Sequence, residues 1–216
     1  MYHGPVQKVV LFDYDDTLVQ SSDACYEMDR ETVKALGWPP FDRKQYFREW
    51  GKPHFEMLKI LCPGQNIEQF QLEFPKHRSD NNLKLFPDTL SALSVLRGQA
   101  LRLGVISSKT HARLVESLEH FSLRMFFEYV QGVDVSPYVK PDPRVFQNAL
   151  QHFGVQPQEI VYIGDSPSDY LAARDAHLQF IGVLTGIYTV EDFYRLGCHS
   201  IFLSLSEIPS AISKIQ

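Results

Sequence analysis

The chain has 216 residues, enough for one substantial hydrophobic core with a small accessory unit. Its net charge is −5 and it has no lysine- or arginine-rich block, so we expect no nucleic-acid-binding surface. No apolar stretch approaches the ~20 residues of a membrane-spanning helix, and the first ten residues lack the pattern of a secretory signal. The three cysteines are far apart and form no CxxC pair, which predicts reduced thiols in a cytoplasmic protein.

Strand and helix patterns alternate along most of the chain. Four nearly continuous apolar segments are predicted as strands, at Lys8–Phe12, Leu101–Ile106, Ile160–Ile163 and Gln179–Leu184. Weaker strand patterns occur at Phe126–Val130 and Ser200–Leu203, and helical patterns at Pro87–Arg97, Lys109–Phe121 and Asp142–Phe153, the last followed by Gly154. This alternation predicts an α/β fold, a doubly wound, mainly parallel Rossmann-like sheet.

The stretch from Gln20 to Lys84 interrupts this alternation with helical segments and no clear strand. A first helix is expected from Ser22 or Asp23 to Gly37, and a second from Asp42 to Gly51. "PHFEMLKIL" and "NIEQFQLEF" supply two more. We therefore predict an α/β core of residues 1–19 and 85–216 and an all-helical cap of residues 20–84. The alternative is that these helices only cover an edge of the sheet.

Polar residues follow each of the first three strongly predicted strands. They are Asp13, Asp15 and Asp16 after the first, Ser107 and Ser108 after the second, and Asp165 and Asp169 after the third. Lys140 precedes the helical pattern at 142–153. Because ligands of open α/β sheets bind at the carboxyl ends of the strands, these groups should share one crevice.

Such a crevice suits a divalent cation and a phosphoryl group. Mg²⁺ prefers carboxylate, water and phosphate oxygens, and its charge would offset the repulsion among Asp13, Asp15 and Asp165. Ser107 and Lys140 would donate to the phosphate oxygens. Asp13 would be the nucleophile that forms an aspartyl-phosphate, and Asp15 the general acid and base.

Four short motifs occur in order along the chain: "DYDDTL", "LGVISSK", "VKPDP" and "IGDSPSD". Together they resemble the motifs of the haloacid dehalogenase-like superfamily of phosphohydrolases. The resemblance implies Asp13 as nucleophile, Asp15 as acid and base, and Thr17 and Ser107 as hydroxyls at the substrate phosphate. It further implies phosphate binding by Lys140, metal binding by Asp13, Asp15 and Asp165, and orientation of the metal's water shell by Asp169.

The helical insertion resembles the mobile cap of the phosphoglycolate phosphatase-like branch of this superfamily. That branch usually has glycine after the second aspartate of the first motif, where this chain has Asp16. Asp tolerates turns through its own hydrogen bonds, so we expect Asp16 to be a turn residue and activity to persist. In the cap, Arg48, Lys52 and His54 are candidates for contacts with an anionic substrate; the alternative is a solvated face.

The leading hypothesis is a Mg²⁺-dependent phosphatase acting on a small phosphomonoester, either phosphoglycolate-like or a nucleoside monophosphate. The alternatives are a phosphosugar mutase of the same superfamily and a non-catalytic binding protein on the same fold. Dehalogenation is disfavoured because family dehalogenases lack the second aspartate of the first motif. Nothing in the sequence indicates an oligomeric state.

Overall fold

A computed structural model describes residues 7–215, so residues 1–6, which include most of the segment examined for a secretory signal, and Gln216 lie outside the described part. In the described residues the strands are β1 Val9–Phe12, β2 Val19–Gln20, β3 Lys84–Leu85, β4 Arg102–Ile106, β5 Tyr129–Gln131, β6 Ile160–Gly164, β7 Gln179–Val183 and β8 Ile201–Phe202. Six of them form one sheet in the order β5-β4-β1-β6-β7-β8, and every neighbouring pair is parallel. The α/β prediction is confirmed.

The central strand β1 is inaccessible to solvent on both faces, as its continuous apolar sequence predicts. Its side chains alternate between two packed layers. Val10 and Phe12 belong to one hydrophobic cluster, and Val9 and Leu11 to another on the opposite face. Phe12 is in register with Val105 on β4 and with Ile163 on β6, so the residues that follow these strands emerge at the same level.

Helices cover both faces of the sheet. Outside the insertion they are α5 Thr89–Gly98, α6 His111–His120, α7 Gln147–Phe153, α8 Pro167–Asp175, α9 Val190–Arg195 and α10 Ile208–Ile215. The cluster around Val10 and Phe12 takes side chains from α5, α6 and α10, whereas the cluster around Val9 and Leu11 takes them from α7 and α8. This two-sided packing is the doubly wound arrangement predicted from the sequence.

Two predicted elements begin at least three residues later in the structure than the sequence predicts. The pattern at 142–153 begins with a 3₁₀ turn, Pro143–Phe146, and becomes α7 only at Gln147; it ends at Gly154 in the left-handed conformation (φ 64°). The strand predicted from Phe126 begins three residues later, because Phe126 closes a 3₁₀ turn through a 3.0 Å hydrogen bond from its N–H to the Leu123 carbonyl. The local turn therefore takes precedence over the apolar strand pattern.

The insertion contains four helices, α1 Ser22–Ala35, α2 Arg43–Glu49, α3 His54–Leu61 and α4 Ile67–His77. They pack against one another, and Tyr46 and Phe70 are inaccessible to solvent between them. The short strands β2 and β3 pair antiparallel where the chain enters and leaves the insertion. This ribbon was not predicted from the sequence. Within the described residues, no helix has both the length and the apolar composition needed to cross a membrane.

Candidate active site

The carboxyl ends of β1, β4 and β6 meet at one edge of the sheet. Asp13 follows β1, Ser107 follows β4 and Asp165 follows β6. The Asp13 N–H donates to the Ile163 carbonyl over 2.8 Å, and this bond holds the start of the loop after β1 against β6. The fold thus brings together three of the residues that the sequence singles out.

Lys140 connects two carboxylates at this edge. Its Nζ lies 2.9 Å from Asp13 Oδ1 and 2.7 Å from Asp169 Oδ1, and it donates to Tyr162 Oη over 3.2 Å. Although burial alone would lower the pKa of Lys140, the carboxylates of Asp13 and Asp169 hold it above its usual value. Lys140 therefore remains a cation beside Asp13.

The carboxyl groups here are deprived of water. Burial raises the pKa of Asp13 to about 7, although the charge of Lys140 opposes the shift. Burial likewise raises the pKa of Asp165, and the neighbouring charge of Asp13 raises it further. Since buried like charges repel, a nearby cation would stabilise the ionised form of both groups.

Carboxylate oxygens of Asp13, Asp165 and Asp169 lie within 4.8 Å of one another, the one acidic group of this kind among the residues that the structure describes. Three buried carboxylates at this spacing match the oxygen ligands that hard divalent cations prefer. The donor set therefore fits such an ion. Asp169 is held by Tyr162 Oη at 2.9 Å and by Ser166 Oγ at 2.5 Å, so its orientation is fixed.

Asp15 lies outside that carboxylate group and has a different partner. Its Oδ1 is 2.5 Å from Lys109 Nζ in a pair whose side chains are only 17% and 12% exposed. Lys109 was not assigned a role from the sequence, although it is the last residue of the quoted "LGVISSK". The lysine orients Asp15 within the cavity described below.

The two predicted phosphate-binding hydroxyls lie behind the cavity wall. Thr17 is inaccessible to solvent, and its Oγ1 donates to Asp165 Oδ1 over 2.8 Å. Ser107 is also buried, and its Oγ accepts from the Lys109 N–H over 3.1 Å. The neighbouring Ser108 lines the cavity instead, and its hydroxyl donates to the Gly51 carbonyl in the insertion over 2.9 Å.

A cavity of about 260 Å³ lies between these residues and helices α1, α3 and α4. Its reactive end contains Asp13, Asp15, Lys109, Lys140 and Asp165. The insertion contributes the aromatic residues Trp50, Phe55 and Phe74 together with polar ones such as Asp29, Lys52 and Glu56. The insertion therefore covers the carboxylates.

Two of the three cap candidates line the cavity. Lys52 is paired with Glu49, and His54 Nε2 lies 2.8 Å and 3.0 Å from the two oxygens of Asp29. Arg48 is exposed on α2 and is not part of the lining. Asp29 is fully buried and also accepts from Tyr46 Oη over 2.8 Å. Its position in the middle of a helical pattern did not distinguish it from an ordinary surface acid.

Gly186, in the loop after β7, packs directly against Asp165. A Cβ atom there would lie 2.9 Å from Asp165 Cγ and closer still to Oδ2. No quoted motif contains this glycine, and its contact joins residues far apart in sequence, so sequence reasoning missed it. The backbone at Gly186 forms the wall that supports the Asp165 carboxyl group.

Known proteins resemble this chain over most of its length. The family model described as haloacid dehalogenase-like hydrolase matches residues 10–183. A phosphoglycolate phosphatase of Pseudomonas putida is 27% identical in a match that covers 86% of this chain and 72% of that protein. Pyrophosphatase PpaX of Halalkalibacterium halodurans is 25% identical, and the match covers 86% of this chain and 87% of that protein. The crystal structure of a haloacid dehalogenase-like hydrolase from Bacteroides fragilis has a TM-score of 0.84 and 30% identity, covering 94% of this chain and 99% of that one. The chain belongs to the haloacid dehalogenase-like hydrolase family.

Proposed function

We propose that this protein is a Mg²⁺-dependent phosphatase that hydrolyses a small phosphomonoester through an aspartyl-phosphate on Asp13. The observation that carries the proposal is the position of the Asp13 carboxylate. It lies at the end of a covered cavity, 2.9 Å from the ammonium group of Lys140 and beside the carboxylate of Asp165. The names of the two curated relatives support the same class of reaction.

In the first step, a carboxylate oxygen of Asp13 forms a bond to phosphorus, and the bond from phosphorus to the ester oxygen breaks. The leaving oxygen takes a proton from the carboxyl group of Asp15. Lys109 holds Oδ1 of Asp15 and leaves Oδ2 for this transfer. Lys140 donates to a phosphoryl oxygen and offsets its growing charge.

In the second step, water attacks the phosphorus of the aspartyl-phosphate, and Asp15 accepts the proton of that water. Inorganic phosphate leaves, and Asp13 is restored as a carboxylate. Mg²⁺, held by Asp13 and Asp165 with Asp169 orienting its water shell, would supply positive charge to the phosphoryl oxygens. Asp15, the third metal ligand expected from the sequence, has its carboxylate on Lys109 and outside this group. Thr17 would act through Asp165, because its hydroxyl donates to that carboxylate.

We further propose that residues 20–84 are a cap on a core of residues 1–19 and 85–216. Ser108 Oγ donates to Gly51, and Arg78 at the end of α4 lies 2.5 Å from Glu116 on α6, so polar contacts join the two parts beside the hydrophobic cluster that they share. The paired strands β2 and β3 are the crossings at which the cap would pivot.

The size of the cavity favours a phosphoglycolate-like substrate over a nucleoside monophosphate. Pockets that bind drug-sized ligands measure about 300–1,000 Å³, whereas this cavity measures about 260 Å³. The substrate is a small phosphorylated metabolite in either case. The three cysteines are free, which supports our inference that the protein works in the reducing cytoplasm.

The test is hydrolysis of p-nitrophenyl phosphate with and without Mg²⁺ by the wild-type protein, Asp13→Asn and a control, Asp175→Asn. Asp175 is an acid outside the cavity, in an ion pair with Arg174. We expect Mg²⁺-dependent release of p-nitrophenol by the wild type and control, and a loss of more than about a thousandfold in Asp13→Asn. Equal rates for wild type and Asp13→Asn would refute the nucleophile assignment.

A panel of phosphoglycolate, nucleoside monophosphates and hexose phosphates would then identify the substrate. Transfer of the phosphoryl group to another position of a hexose, in place of release of inorganic phosphate, would establish the mutase. Binding without turnover of any ester would establish the non-catalytic alternative. Beryllium fluoride with Mg²⁺ mimics an acyl-phosphate, and we expect it to inhibit the phosphatase.

A further inference from the structure

Arg113, in the first turn of α6, lines the same cavity and has no polar partner among the residues that the structure describes. Its guanidinium carbon lies 5.0 Å from the ring centroid of Phe74 on α4. Its Nε is shielded from solvent and makes no hydrogen bond with any residue in the described range. A buried guanidinium donor without an acceptor is unfavourable unless a ligand supplies one.

Arg113 is also the unmatched charge of the cavity. Each of the other lysines and arginines of the lining has an acidic partner, as in Lys52–Glu49, Lys109–Asp15 and Lys140–Asp13. Arg113 makes no ion pair within residues 7–214. The nearest acid along its helix, Glu116, is paired with Arg78. Asp29, the remaining aspartate of the lining, is already partnered by His54 and Tyr46.

Arg113 adds a second positive charge to the part of the cavity lining that follows β4, after that of Lys109. Lys109 contacts Asp15 at the reactive end, and Arg113 follows four residues later. The two charges interact through the pKa of Lys109. Burial lowers this pKa, but the charge of Asp15 holds it above its usual value, and the charge of Arg113 has a smaller lowering effect.

We propose that Arg113 binds a second anionic group, a carboxylate or phosphate, on the leaving group of the substrate. The enzyme would thereby prefer phosphomonoesters with an anionic end over those with a neutral end. This inference rests on the proposed phosphatase function. A guanidinium over an aromatic ring keeps its in-plane N–H groups free, and these bind carboxylate or phosphate in a two-point geometry.

The surroundings strengthen such an interaction. The ring of Phe74 lies against the Arg113 guanidinium, so an anion bound there is shielded from water on that side and the attraction is less screened. A cavity of about 260 Å³ suits a small substrate, in which the second anion lies only a few bonds from phosphorus. Arg113 is therefore a specificity-determining residue, separate from the groups that act on the phosphoryl group.

The experiment compares kcat/KM for 2-phosphoglycolate and for 2-hydroxyethyl phosphate, which have the same chain length but a carboxylate or a hydroxyl end. We expect the wild type to prefer phosphoglycolate, and Arg113→Met to reduce the ratio of the two kcat/KM values at least about tenfold. Arg113→Lys should retain part of the ratio because it keeps the charge but loses the planar fork. Inorganic pyrophosphate as a third substrate distinguishes a second phosphate from a carboxylate.

Two control variants separate recognition from cap packing. Met57→Leu changes the packing of the cavity lining but leaves the contact of Arg113 with Phe74 in place, and it should change both kcat/KM values alike. Arg195→Met removes an exposed arginine outside the cavity and should change neither. An unchanged ratio in Arg113→Met, or a wild type without preference, would overturn the inference and leave the phosphatase intact. No turnover of any ester would overturn both.

Discussion

Replacing Gly186 by alanine should disable the enzyme without touching any residue of the four motifs. The new Cβ would lie 2.9 Å from Asp165 Cγ and closer to Oδ2, whereas an ordinary contact is 3.4 Å or more. The neighbouring atoms belong to a carboxyl group that is 3% exposed and bound to Thr17. Because Gly186 does not have a positive φ, steric overlap is the only penalty of this substitution.

The size of the effect follows from that overlap. Asp165 Oδ2 has to retreat by about 1 Å or more to reach an ordinary contact, which breaks the 2.8 Å hydrogen bond from Thr17 or moves the loop after β7. Overpacking of this kind costs about 1–3 kcal/mol of unfolding free energy. Misplacement of a catalytic group by about 1 Å costs up to ~10²-fold in rate. We expect Gly186→Ala to lower kcat/KM by about 10- to 100-fold.

The assay is Mg²⁺-dependent hydrolysis of p-nitrophenyl phosphate, with urea unfolding measured in parallel. Gly98→Ala is the matched control, because Gly98 is an exposed residue at the end of α5 and a Cβ there meets no atom within 4 Å. It should be neutral or slightly stabilising. Wild-type kcat/KM and an unchanged Mg²⁺ requirement in Gly186→Ala would refute the idea that this backbone positions Asp165.

Two further predictions concern the charges of the site. Lys109→Met should lower kcat for all phosphate esters and destabilise the fold by up to about 3 kcal/mol, because it leaves Asp15 without its ammonium partner. Lys109→Arg should retain part of the activity and part of the stability. Wild-type values of kcat and of the urea midpoint in Lys109→Met would contradict this prediction. Because burial raises the pKa of Asp13 to about 7, the metal-free protein should lose stability as the pH rises from about 4 through 7. Cation binding requires the ionised carboxylate, so the increase in Tm on adding Mg²⁺ should be larger at pH 8 than at pH 5 and absent in Asp165→Asn. A Tm increase independent of pH would count against a cation at these carboxylates.

The parallel sheet and its reactive edge were predictable because both depend on local patterns. β1, β4, β6 and β7 are continuous apolar runs, and each has the predicted bounds to within a residue. Strand ends in a parallel sheet lie at one edge, so the residues after three of these runs were expected to meet. The ends of the first two helices of the insertion were recognisable from the turn glycines Gly37 (φ 67°) and Gly51 (φ 91°).

What the sequence did not reveal depends on contacts between distant residues. Strands of two residues, such as β2 and β3, are too short to show a periodic pattern, and only their pairing defines them. The contact of Gly186 with Asp165 joins two separate loops, and the unpaired state of Arg113 depends on which acids other cations occupy. Periodicity and motif spacing carry no information about such pairings.

Asp16 shows how a departure from the usual family motif is accommodated. Its φ is +54°, in the left-handed region that glycine adopts freely and aspartate tolerates. Unlike glycine, Asp16 also supplies an acceptor: its Oδ1 accepts from the N–H of Ser21 at 2.9 Å and of Ser22 at 3.1 Å. Ser21, the residue before α1, makes no capping bond with its own side chain. The Asp16 carboxylate therefore takes over that role and ties the first helix of the insertion to the loop that presents Asp13.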